Sequence, residues 1–465
     1  LSDRYTYPNG REVKLQYFVN KGDAPKVEWA MSCLKDAMEH ENNRWGHAYH
    51  SDSNLFMTLA VDAFVFGAME NTGLNIFNAS FVLASPDTTT DAKYTKIDTT
   101  IDHEFIHDET GNHRVPSSWF QISYKEGLTV FRDQTYAAYK YGDTVQRIAH
   151  VMLARSTIFA YDSGPMTHPM VLKSYIKTEN NYDVITYPKG AEINRMVQTL
   201  VGVDAFKKAF REYHDVETTA PATIKDWLAH VALSTGKNLS QFMDTWLTQA
   251  GVPTLIVSAH YDRKKHRYSL KIEQSIPPTS DNPEQVKQPF HMPFRLGLVD
   301  KDGQDIELIP ADDSFTVRQD GMIEITKSEQ TFTFGNVMDE PIPSLNRDFS
   351  AYCKVDFQHS RDSLILLAAH DSNQLNRWDA VQQLGVLAFN DAITALKNKQ
   401  TVTVDTQLID VFKAVLLDET LDDALKAEML KLPLQTNMLN LQKPGSKDPV
   451  VIFKANKVLA AQIGR

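Results

Sequence analysis

His103, Glu104 and His107, followed by Glu126, have the types and the spacing of a metal centre. Two residues four apart on an α-helix leave the same face one turn apart, so the imidazoles of His103 and His107 can converge on one point. That geometry supplies two ligands of a tetrahedral zinc ion, and Glu104 between them can work on a metal-bound water. Glu126 lies nineteen positions beyond His107, enough for a turn and a returning helix that carries a third ligand. Two histidines, a glutamate and a water in the fourth position make a hydrolytic zinc site.

The same His-Glu-x-x-His pattern also arises by chance, as two histidines on a solvated helix face. Three features oppose that bland reading. Ile97, Ile101 and Phe105 recur every four residues beside the pair, the apolar stripe of a helix packed in a core. Glu126 sits in a second helix-like segment with Leu128, Val130 and Phe131 on its apolar side. Upstream, Gly67-Ala68-Met69-Glu70-Asn71 ends a strand-like run, its glutamate thirty-three positions before His103.

These residues need a scaffold, and the chain supplies three kinds of pattern. Residues 1–250 read as an α+β catalytic domain. Val13, Leu15 and Tyr17 alternate as in a strand, a helix is expected over about 25–42, and strand-like runs follow at Leu55–Val61 and Leu74–Ala84. Helices are then expected through the metal motif, over 119–139 and near 143–160, 189–200, 203–214, 223–234 and 239–249. Residues 251–357 show short alternating segments such as Tyr268–Ile272, with turn signals at Lys301-Asp302-Gly303, and read as a small β-sandwich. Residues 358–465 turn helical again and resemble the start of a solenoid-like array.

The bulk properties set limits. The chain has 465 residues and a net charge of −11, from 48 basic and 59 acidic residues, which disfavours a nucleic-acid partner. Two distant cysteines, Cys33 and Cys353, exclude a disulfide scaffold and favour a reducing, cytoplasmic setting. No apolar run approaches the roughly 20 residues of a membrane helix; the stretch Leu55–Met69 is broken by Asp62.

Taken together, the Gly-Ala-Met-Glu-Asn pentapeptide, His-Glu-x-x-His and a glutamate after eighteen intervening residues resemble the zinc aminopeptidases of the aminopeptidase N type, in the gluzincin group. Thr110-Gly111-Asn112, Trp119-Phe120-Gln121, Lys125 to Gln134 and Tyr187 to Glu192 resemble the bacterial branch. The similarity runs on through the β region to His370-Asp371-Ser372 and Asn376-Arg377-Trp378. The resemblance implies a thermolysin-like catalytic domain, a β-sandwich and part of a helical array. It implies a metalloaminopeptidase with one Zn2+ per chain, acting on peptides with a free N-terminus and an apolar or basic first residue.

Roles carry over by position. His103, His107 and Glu126 would hold zinc, and Glu104 would be the general base that hands its proton to the leaving amine. Tyr187 would donate to the oxyanion. Glu70 would bind the substrate's α-ammonium by a charge-assisted hydrogen bond. Gly67, Ala68, Met69 and Asn71 would line the substrate backbone as an added strand, and Phe66 would border the pocket for the first side chain.

Several positions depart from the family pattern. Asp108-Glu109 stands where bacterial relatives usually carry Asn-Trp, and is expected to retune His107 and its water or to be solvated at a helix end. Pro188 replaces a usual glutamate and is expected to hold Tyr187 in extended backbone. Phe66 replaces a methionine and would narrow the first pocket. The relatives' N-terminal β domain and most of their C-terminal helices have no counterpart here, which implies a fragment or a trimmed enzyme with a more open site. Two rivals share these residues: an epoxide hydrolase–aminopeptidase of the leukotriene type, against which Ala68 argues, and a catalytically silent zinc-containing peptide-binding protein, against which Glu104 argues.

Overall fold

The alternation at Val13, Leu15 and Tyr17 forms a strand because those three side chains enter a core while their neighbours face solvent. In the computed structural model, which describes residues 1–50, 54–215, 220–443 and 445–463, the chain divides into two compact units. The first comprises Leu1–Asp143 and Met170–Met243, the second Thr144–Pro169 and Asp244–Arg465.

The first unit opens with β1 (Ser2–Thr6), β2 (Glu12–Phe18), α1 (Glu28–Trp45), β3 (Leu55–Val61), β4 (Ala68–Met69) and β5 (Asn75–Asn78). The sheet runs β1-β2-β3-β5-β4, parallel at β2/β3 and β3/β5 and antiparallel at both edges. α1 buries Ala30, Met31, Cys33, Leu34, Ala37 and Met38 as one stripe, and Gly46 stops it in left-handed backbone at φ 76°. The strand expected over Leu74–Ala84 is shorter than its apolar content suggested. It ends at Asn78, whose side chain accepts from the Ser80 N–H at 3.0 Å and turns Ala79–Phe81 into a 3-10 turn.

Two helices complete the part of this unit that bears the motif. α2 (Asp91–Ile106) starts at Thr90, whose hydroxyl accepts from the Lys93 N–H, and buries Ile97, Ile101 and Phe105 in the same core as α1. α3 (Ile122–Tyr141) is buried along most of its length. Further helices span Gly190–Val201, Val203–His214 and Ile224–Thr235.

The second unit contains a β-sandwich. Its strands are β6 (Thr254–Asp262), β7 (Arg267–Ser275), β8 (Met292–Val299), β9 (Asp305–Ile306), β10 (Ile309–Pro310), β11 (Met322–Ile325), β12 (Glu329–Gly335), β13 (Ile342–Leu345) and β14 (Lys354–Asp356). One sheet runs β10-β12-β7-β6-β14; the other runs β11-β8-β13, with β9 on β8. The Lys301-Asp302-Gly303 signal is the turn of the β8–β9 hairpin, with Gly303 at φ 82°. Paired helices follow, Arg361–His370 and Gln374–Lys397, capped by the side chains of Ser360 and Asn373. Among the described residues no helix is long and apolar enough to cross a membrane.

Candidate active site

His103 occupies the last turn of α2 and His107 is its C-cap, with the His107 N–H still bonded to the His103 carbonyl at 3.2 Å. Their Nε2 atoms lie 3.1 Å apart, and each is 3.3 Å from Glu126 Oε2 on α3. A tetrahedral ion with bonds of about 2.0–2.1 Å holds its ligands about 3.3–3.4 Å apart, so this donor set fits zinc. Both rings are held from behind. His103 Nδ1 faces Asp133 Oδ2 at 2.8 Å, and His107 Nδ1 donates to the Thr110 carbonyl at 2.8 Å. Those bonds leave Nε2 as the free lone pair on each ring.

Glu104 is buried beside this cluster, and its Oε2 has no hydrogen-bond partner among the described residues. Burial pushes its carboxyl up to about 7, against the opposing pull of His103 and His107. Glu70 follows edge strand β4, and its Oε1 is 2.7 Å from Lys125 Nζ. Burial alone would raise the Glu70 carboxyl, but His107 and Lys125 outweigh it and hold the group below the usual carboxylate range. Single ligand atoms of Glu70, Glu104 and His107 lie within 4.8 Å of one another. The amine-site candidate and the base candidate therefore sit at the same end of the metal cluster.

The rest of the pentapeptide forms the rim. Ala68 and Met69 pair with Phe77 and Ile76, and among the described residues no further strand lies beyond β4. The Gly67 carbonyl accepts from the Asn78 N–H at 2.9 Å. Phe66 has its ring 5.7 Å from Tyr182 and 6.1 Å from Phe64. Asn71 lines a small cavity together with Glu104 and Asp108.

Tyr187 stacks its ring on His103, 6.2 Å between centroids and 18° between planes. Burial, and then the nearby carboxylates of Glu126 and Glu104, drive its phenol above its ordinary range and keep it a hydrogen-bond donor. Its backbone is not extended, contrary to expectation: Tyr187 and Pro188 lie in a π-helical turn, Ile185–Lys189. Proline cannot donate to the carbonyl four back and its ring clashes there. The wider turn removes that conflict, with Lys189 N–H bonded to the Val184 carbonyl five residues back at 3.1 Å.

Close packing fixes that turn against α3. A Cβ built on Gly127 would lie 2.8 Å from the Gly190 Cα, and one on Gly190 would lie 2.8 Å from the Gly127 Cα. Alanine ordinarily stabilises a helix by about 1 kcal/mol relative to glycine. Gly127→Ala is expected to do the reverse and cost about 1–3 kcal/mol through overpacking. Denaturant unfolding checks this, and an unchanged or raised midpoint would mean that the two backbones do not touch.

Asp108 and Glu109 are not solvated at a helix end. Glu109 is buried and pairs with Arg132 Nη1 at 2.6 Å, while Asp108 Oδ2 accepts from the His50 N–H at 2.8 Å. The His107 ring is held by Thr110 rather than by either acid.

Three contributors had no role in the sequence reading. Lys125 bridges Glu70 and Glu126, Asp133 holds His103, and Asn112 Nδ2 donates to the Glu70 carbonyl at 2.8 Å. Asp133 carried a usable signal, because it follows Glu126 by seven residues and so shares its helix face.

A His-Glu-x-x-His helix answered by a glutamate from the next helix has the form of a metallopeptidase centre. Residues 29–246 match the peptidase family M1 domain, 251–358 a DUF3458 domain of Ig-like fold, and 361–465 its C-terminal companion of ARM repeats. Aminopeptidase N of Escherichia coli strain K12 is 38% identical over 459 residues, covering 99% of this chain and 52% of the relative. Aminopeptidase N of Haemophilus influenzae is 36% identical over 463 residues, covering 100% and 52%. An aminopeptidase A of Legionella pneumophila, solved in complex with aspartic acid, superposes with a TM-score of 0.86 at 26% identity, covering 100% of this chain and 50% of that one. Residues 29–246 thus carry a peptidase family M1 domain, and the chain is similar to bacterial aminopeptidases N along essentially its whole length. It spans about half the length of these relatives.

Proposed function

We propose that the chain carries the catalytic apparatus of a zinc aminopeptidase, which releases one N-terminal residue from a peptide by adding water across the first peptide bond. The observation that carries this reading is the placement of Glu70 and Glu104 within 4.8 Å of the same metal-cluster histidine, His107. One carboxylate is positioned to bind an amine and the other to move a proton.

His103 Nε2, His107 Nε2 and Glu126 would hold the ion. Zinc bound there would supply Lewis acidity, acidifying water and polarising the scissile carbonyl. Glu104 takes the proton from the attacking water and returns it to the departing amine. The Tyr187 hydroxyl donates to the oxygen of the scissile carbonyl as negative charge develops on it. Lys125 occupies Glu70 Oε1, which leaves Oε2 for the substrate's ammonium. The open edge of β4 accepts the substrate backbone as an added strand. The first side chain meets Phe66, Phe64 and Tyr182, an aromatic wall that suits apolar residues and stacks the guanidinium of arginine.

Neither rival gains support. The relatives named above are aminopeptidases, and a purely structural ion would have no use for a buried Glu104 whose Oε2 has no hydrogen-bond partner among the described residues. The two cysteines are free and buried, consistent with a reducing, cytoplasmic setting.

The test compares alanyl- and arginyl-p-nitroanilide with their N-acetylated forms. Only free amines should turn over, and a chelator should abolish the activity. Glu70→Ala is expected to raise KM for free-amine substrates roughly 10–100-fold, the value of about 1.5–3 kcal/mol for a hydrogen bond to a charged group. Zinc content should stay unchanged. Equal losses of affinity and of metal would defeat the assignment of Glu70.

A further inference from the structure

A second cluster of metal-type donors gathers on residues just past the same helix end. Gly46 ends α1 and the chain turns back, carrying His47 and His50 to the residues that follow His107. His47 is only 1% exposed, yet neither ring nitrogen has a hydrogen-bond partner among the described residues. Leaving such a group idle in the interior costs about 1–3 kcal/mol, and an unsatisfied buried group of this kind calls for a cause.

The surroundings of that ring supply one. His47 Nε2 lies 3.6 Å from Asp108 Oδ2, and His50 Nδ1 lies 3.2 Å from the same oxygen. The first separation is too long for a hydrogen bond, but the two bracket the roughly 3.4 Å expected between neighbouring donors on a tetrahedral ion. The catalytic cluster is tighter, at 3.1 to 3.3 Å. One ligand atom from each of His47, His50 and Asp108 lies within 4.8 Å of the others.

A carboxylate also stands behind the His47 ring, at longer range than the one behind His103. His47 Nδ1 faces Glu109 Oε2 at 3.7 Å, and Arg132 anchors Glu109. A carboxylate hydrogen-bonded behind a ligating imidazole sets its tautomer and orientation; Asp133 does so for His103 at 2.8 Å, and Glu109 would do so for His47 only on closing its longer gap. His113 stacks on the His50 ring at 4.6 Å and 10°, which steadies the more open ligand. The His50 side chain is 37% exposed, which gives an ion a way in.

We propose that His47, His50 and Asp108 form a second site for a divalent transition-metal ion, distinct from the His103–His107–Glu126 cluster. Two imidazoles and one carboxylate suit zinc, nickel or copper and not calcium or magnesium, which take oxygen ligands. Filling the site ties the loop after α1 to the residue that follows a ligand of the catalytic ion, and so braces the end of α2.

The test is zinc stoichiometry on the full chain, stripped with a chelator and then titrated with Zn2+ in a competing buffer that discounts weak surface histidines. Two equivalents are expected, falling to one in His50→Gln and in His47→Gln. His50→Gln is the safer variant for folding because the side chain is partly exposed. Co2+ substitution gives an independent readout: the d–d absorption of the second equivalent should vanish in both variants. A single equivalent that Glu126→Gln removes would overturn this site and leave the aminopeptidase reading intact. Two equivalents that persist in the His47→Gln/His50→Gln double variant would also overturn it. No bound zinc in any form would overturn both.

Discussion

Glu104→Gln is expected to lower kcat by about 10²–10⁴-fold, the usual contribution of a positioned general base, while zinc content and melting temperature stay as they are. Glutamine keeps the size of the side chain but cannot accept the proton of the attacking water. Glu104 makes the comparison clean because its Oε2 has no hydrogen-bond partner among the described residues to lose. Its contribution to the protein's integrity is therefore small, and the loss should fall on the chemical step. Single-turnover measurements on alanyl-p-nitroanilide, with metal analysis of the same sample, check both halves. A variant that retains most of its turnover with zinc bound would place the base elsewhere.

The second large effect is on stability. Arg132 is wholly buried in α3, and its guanidinium is shared between Glu41 on α1 and Glu109 just past His107. Arg132→Met would strand two buried carboxylates. Removing one partner from such a buried network costs about 3–5 kcal/mol, whereas removing the charges together is far milder. The single variant should therefore melt on the order of 10 °C lower, and adding Glu41→Gln and Glu109→Gln should recover a large part of that loss. Because Glu109 closes the turn after His107, the single variant should also hold zinc less tightly. Calorimetry on the parent chain, Arg132→Met, Glu41→Gln/Glu109→Gln and the triple variant decides it, and additive losses would contradict the network.

The features legible in the sequence were those whose chemistry is written in local spacing. His103 and His107 are one helical turn apart, the Ile97–Ile101–Phe105 stripe identifies the buried face of α2, and Glu126 needs only a returning helix. The alternation that marked β2 and the Lys301-Asp302-Gly303 turn was equally local. What stayed hidden depends on partners distant in the chain. Lys125 reads as a helix lysine until Glu70, fifty-five residues earlier, is brought beside it. Asp108 and Glu109 read as acids that either retune His107 or sit solvated at a helix end until His47, His50 and Arg132 converge on them. Pro188 suggested extended backbone because the rule for the residue before proline assumes an ordinary helix as the alternative. A π turn satisfies the proline differently and keeps Tyr187 against His103. The strand ending at Asn78 was misjudged because apolar content continues after an asparagine that has already turned the chain.

The central claim is tested most directly by anomalous diffraction at the zinc edge from crystals of this chain. The expected result is a peak about 2.0–2.2 Å from the Nε2 atoms of His103 and His107 and from a Glu126 oxygen, with no fourth protein donor. An ion closed off by four protein ligands, or imidazoles turned away from one another with no peak between them, would contradict it.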